Sequence, residues 1–142
     1  MAPYTEAMTY FARAVGEVRV GDPAKASADI DSLASIQQRL SGKGEGYWAE
    51  QVAIQQLEAE AWLDLGQHRE SAALTHMREA VAREDAIEKS AVTPGPLAPA
   101  HEQLGDMLMQ LNRRDEAKVE YRATLNKEPG RRHSLFYLTT FN

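Results

Sequence analysis

Apolar side chains recur at intervals of three and four residues along most of the chain, and Gly- and Pro-rich points interrupt them. That period predicts a succession of amphipathic helices. Met8, Phe11, Val15 and Val18 form one stripe, giving a first helix over about residues 3–20 that Gly21 ends. Asp22-Pro23 then supplies an N-cap acceptor followed by proline at the first helical position. The second helix carries Ala26, Ile30, Leu33 and Leu40 and stops at Ser41-Gly42, where S-G-K-G-E-G makes a flexible connection. A third, over about 47–65, has Ile54, Leu57, Ala61 and Leu65 at helical spacing, with Gly66 as its expected C-cap. A fourth, over about 69–89, turns Ala73, Met77, Ala80 and Val81 inward. The run A-V-T-P-G-P-L-A-P cannot continue it. Two further helices fill about 98–127, and a short last one, over about 131–141, carries Leu135, Phe136, Leu138 and Phe141.

Composition agrees with an all-α reading. In 142 residues there are nine Gly, and Ala, Leu, Glu, Gln and Arg outweigh the β-branched Val and Ile. That length suits one domain with a core of its own. The net charge of −5 argues against nucleic acid as a partner, since phosphate contacts need a basic surface. No apolar run approaches the roughly 20 residues of a membrane span. The first residues lack the basic and apolar regions of a signal peptide, so cytoplasmic is the default compartment. With no cysteine, disulfides and thiolate chemistry are excluded.

Internal repetition organises the helices. Gly21, Gly66 and Asn112 mark helix ends at intervals of about 45 residues. The second helix of each pair repeats one signature: Ala26-Ile30-Leu33, Ala73-Met77-Ala80 and Ala117-Tyr121-Thr124. A small residue leads each triplet, as close packing of a helix hairpin requires. The stretch from Ala98 to Arg131 carries His101, Leu104, Gly105, Leu108, Ala117, Tyr121 and Pro129. Those spacings resemble the tetratricopeptide repeat, with His and Leu in place of two of its aromatics. E-D-A-I at residues 84–87, the proline-rich turn and the closing E-P-G-R-R-H-S-L-F are similar to the C-terminal part of larger bacterial tetratricopeptide proteins. On that resemblance the chain is a minimal stand-alone version or a fragment of a longer scaffold.

The resemblance implies three antiparallel hairpins, over about 3–40, 47–89 and 98–127, stacked as a right-handed solenoid with a short C-terminal helix, in a single domain over 1–142. It also implies binding by the faces of the first helices. On the third hairpin that side presents Glu102, Asp106, Met109 and Gln110. On the second it presents Gln51, Gln55 and Glu58, with Trp62 assigned first to the core. The expected occupant is a peptide or partner helix with basic and apolar residues. The rival is a small-ligand or divalent-metal site on Glu84, Asp85 and Glu88 beside the Pro94–Pro99 loop. Solvated helix faces are the ordinary reading of those acids. The four histidines lack ligand spacing, and no catalytic or nucleotide-binding motif occurs, so neither catalysis nor a cofactor is expected. Leu135, Phe136, Leu138 and Phe141 are too apolar for an outer face, which predicts a homodimer through the C-terminal end.

Overall fold

The computed structural model describes residues 2–87 and 95–141, and every regular element among them is an α-helix. They are α1 (Pro3–Arg19), α2 (Pro23–Gly42), α3 (Gly46–Gly66), α4 (Glu70–Ala86), α5 (Ala100–Gln110), α6 (Arg114–Lys127) and α7 (Arg132–Thr140). They fall into two compact units, Met1–Ala86 and Ile87–Asn142.

In the first unit α1 packs on both α2 and α3, and α3 also packs on α2 and α4. Ion pairs fix the directions. Arg39 near the end of α2 meets Glu6 near the start of α1, and Arg83 near the end of α4 meets Glu50 near the start of α3. Consecutive helices are therefore antiparallel. α1 and α3 run parallel: Tyr4 contacts Trp48 at one end, and Val18 approaches Gly66 at the other. Having three neighbours, α3 buries Val52, Ala53, Ile54, Ala59, Ala61 and Trp62 around much of its circumference. Along α1 the buried positions are Ala7, Phe11 and Ala14, while Met8, Val15 and Val18 are half-buried. The buried stripe is thus Ala7, Phe11 and Ala14, rotated from the one expected.

Four of the links share one geometry. Gly21, Gly44, His68 and Asn112 have φ of 81°, 75°, 61° and 59°. In each case the next backbone N–H donates to the carbonyl five residues back: Asp22 to Glu17, Glu45 to Leu40, Arg69 to Asp64, Arg113 to Leu108. The left-handed residue itself donates to the carbonyl three residues back, which completes a Schellman closure. Five residues beyond each left-handed position stands an alanine: Ala26, Ala49, Ala73 and Ala117, all buried. The turn after α3 corrects the expectation for Gly66. The left-handed residue there is His68, and Gly66 remains helical. A Cβ on Gly66 would lie 2.8 Å from Val18 Cγ1, so its smallness serves helix contact.

All nine residues of the repeated second-helix triplets are buried. In the second unit α5 and α6 form a hairpin and α7 packs against α6. Gly105 is the contact point of that hairpin, since a Cβ there would lie 2.7 Å from Tyr121 Cε1. α4 is described to Ala86, so Lys89 lies outside the described residues.

Candidate interaction site

α7 is joined to α6 through Glu128-Pro129-Gly130-Arg131, and its first turn is held by side chains of α5. Two acids a helical turn apart on α5 receive it. Glu102 accepts from Arg131 Nε at 3.0 Å through one oxygen and from Ser134 Oγ at 2.6 Å through the other. Asp106 accepts the Tyr121 hydroxyl at 2.7 Å and His133 Nε2 at 2.6 Å, both on Oδ1. A carboxylate only accepts, so the proton of that last contact sits on His133 Nε2. Arg131 Nη2 also donates to the Leu97 carbonyl at 3.0 Å, and the guanidinium lies 3.7 Å from Glu128. Burial, reinforced by Asp106, pushes the Tyr121 hydroxyl well above its ordinary range and keeps it a donor.

Past this grip an aromatic column follows. Tyr137 stacks on Tyr121 at 5.0 Å and 11°, Phe141 stacks on Tyr137 at 5.6 Å, and the Arg114 guanidinium lies 5.8 Å from the Phe141 ring. The opposite side of α7 is more open: Leu135 is 40% exposed and Phe136 58%, while Phe141, stacked in the column, keeps 36% of its surface exposed. Leu138 is half-buried. Ser134 is the one residue of α7 that is fully enclosed.

The structure divides the residues expected to line a partner groove. Glu102 is buried and held by α7, and Asp106 is half-buried and held the same way. Gln55 and Glu58 on α3 are also buried, and Trp62 belongs to the core. Met109 is half-buried, and Gln110 is exposed. On α5, therefore, the acids expected to meet a partner already meet a helix of the same chain. Arg131 makes its ion pairs within its own unit, with Glu102 and Glu128. Sequence reasoning missed Ser134 and His133 as members of this site. The one local signal was the S-L-F resemblance at Ser134.

Of the acidic ligand set, Glu84 is half-buried and Asp85 exposed near the end of α4. Glu88 and Pro94 lie outside the described residues. Among the described residues no three His, Asp or Glu side chains are placed to hold a metal ion. His101 Nδ1 meets Glu120 at 2.6 Å across the α5–α6 hairpin, a packing position. An open depression at the start of α4 is lined by His68, Arg69, Ser71, Thr75 and His76. Two of its side chains are already engaged, because Asp64 accepts from Arg69 Nε at 3.0 Å and lies 2.8 Å from His76 Nδ1. No described helix is long and apolar enough to cross a membrane.

Compared with known proteins, the chain matches no family model, no curated protein and no solved structure.

Proposed function

We propose that this chain is a non-catalytic protein-interaction module built from tetratricopeptide-type helix hairpins, and that it associates with a second copy through the outer face of α7. The observation that carries the reading is the exposed apolar pair Leu135 and Phe136 on a helix whose other side is held by Glu102 and by the Tyr121 ring. Apolar groups clustered at an exposed helix face gain by being covered, at roughly 25 cal/mol per Å² removed from water. An isologous contact offers the same patch to itself.

Several features support the repeat reading. The Schellman turns share one register to a buried alanine, the triplets are buried in both units, and Gly105 seats Tyr121 as the repeat's Leu-Gly and aromatic positions do. A non-catalytic role fits the polar cluster on α5, because its hydroxyls are committed. Ser134 is enclosed against Glu102, and Tyr121 is held as a donor to Asp106.

A photoreactive phenylalanine analogue at position 136 tests this in the full chain. Irradiation is expected to yield a species of twice the chain mass, with the adduct mapping to residues 131–141 of the second copy. Product only at monomer mass over the whole accessible concentration range would overturn the reading.

A further inference from the structure

We propose that α7 is a releasable strap, and that the α5–α6 surface beneath it is a receptor for a partner helix of matching chemistry. The pattern that α7 presents is arginine, then a hydroxyl residue three positions on, then tyrosine three further: Arg131, Ser134 and Tyr137. Its hold on the chain is conditional for four reasons. At nine residues it is shorter than the roughly 12–15 that an isolated helix needs to persist in water. Its N-terminus carries Arg131 and Arg132 where the helix dipole disfavours positive charge, and no side chain caps it. It encloses only Ser134. Leu135 and Phe136 are 40% and 58% exposed, which limits what they add to its packing. Segments of this kind open at the low end of a protein's local stabilities.

The surface it would uncover is not indifferent to what replaces it. Both oxygens of Glu102 would lose their donors, as would one contact of Asp106. With α7 away, water solvates these acids, but a replacing helix that covers Glu102 without supplying donors would enclose an unpaired carboxylate, which is strongly disfavoured. The open face therefore selects a guanidinium and a hydroxyl at the spacing of α7, with the Tyr121 ring ready to stack an aromatic. The charge complementarity commits the receptor to an arginine-bearing helix and excludes an acidic one. This inference rests on the interaction-module reading only for the origin of the replacing helix. The opening of α7 is measured without any partner.

The test uses the full chain and a fluorescent peptide of residues 128–141 as the probe. In the unmodified chain, α7 amides are expected to exchange hydrogen faster than those of α6. The peptide is expected to bind an Arg131→Ala/Ser134→Ala chain about tenfold or more tightly than the unmodified chain, whose own α7 competes. A peptide carrying the same two alanines is expected to bind neither. Equal binding to both chains, or equal binding by both peptides, would overturn the receptor. So would absence of binding to a double variant that keeps its helical circular dichroism. If that variant loses its fold, Ser134→Ala alone is measured by hydrogen exchange. Unchanged exchange in α7 would contradict the strap, and selective acceleration there would support it.

Discussion

Gly105 and Gly16 are both helical glycines, and their surroundings give them opposite roles. A methyl group on Gly105 would meet the Tyr121 ring at 2.7–3.0 Å, while nothing lies within 4 Å of a Cβ on Gly16. Gly105→Ala is therefore expected to lower the melting temperature through overpacking worth about 1–3 kcal/mol. Gly16→Ala is expected to raise it by the roughly 0.5–1 kcal/mol that separates the two residues in a helix. Calorimetry on the pair checks both signs. The spacing of Leu-Gly, the later Ala and the aromatic was legible in the sequence, and the structure adds that Gly105 and Tyr121 are in contact. The burial of Glu102 was not legible. An acid on the side of a helix away from its leucines reads as exposed, and its burial depends on donors from α7, which local periodicity does not reveal. Ser134→Ala isolates that dependence. It leaves an enclosed carboxylate oxygen without its hydroxyl donor, and a cost of about 1–3 kcal/mol in the melting of this unit is expected.

The turns carry most of the regularity at the level of whole elements. Each of the four left-handed residues precedes a buried alanine by five positions, so every such link delivers the next helix in the same register. The sequence offered this pattern through Gly21 and Asn112, and concealed it after α3. Gly66 is conspicuous there, but the position that turns is His68, which bears a side chain at φ 61°. Counting back from Ala73 instead of searching for glycine identifies it. A side chain in that region costs about 1–2 kcal/mol. Glycine there loses roughly 0.4–1 kcal/mol through the freer unfolded chain. His68→Gly is thus expected to stabilise the protein slightly, and a lowered melting temperature would show that the His68 side chain contributes more than its backbone strain removes. The stripes of α2 and α4 were legible because each packs mainly on one side. That of α3 was blurred because helices cover it on three.

Over the whole molecule, the ion pairs set the response to acid. Arg83, donating to both oxygens of Glu50, holds that carboxyl below its ordinary value of 4.5. A depressed carboxyl stabilises the folded state above the unfolded-state value, and that contribution is lost as pH falls through the folded one. Stability is therefore expected to decline as pH falls through and below the ordinary carboxyl value of 4.5, and Glu50→Gln should flatten that decline. The effect will be modest because the pair is partly exposed. The all-helical architecture and the last helix could be read from periodicity and breakers. That apolar side chains of α7 stay exposed was expected from its composition, and Leu135 and Phe136 are so; that its polar first turn faces inward could not be read, because it depends on Glu102 and Asp106 being placed beside it. Sedimentation velocity on the full chain tests the consequence most directly, comparing it with Leu135→Glu/Phe136→Glu. The unmodified chain is expected to shift from monomer to dimer with rising concentration, while the variant stays monomeric and folded. A monomer at every concentration, or a dimer that the double substitution leaves intact, would contradict association through α7.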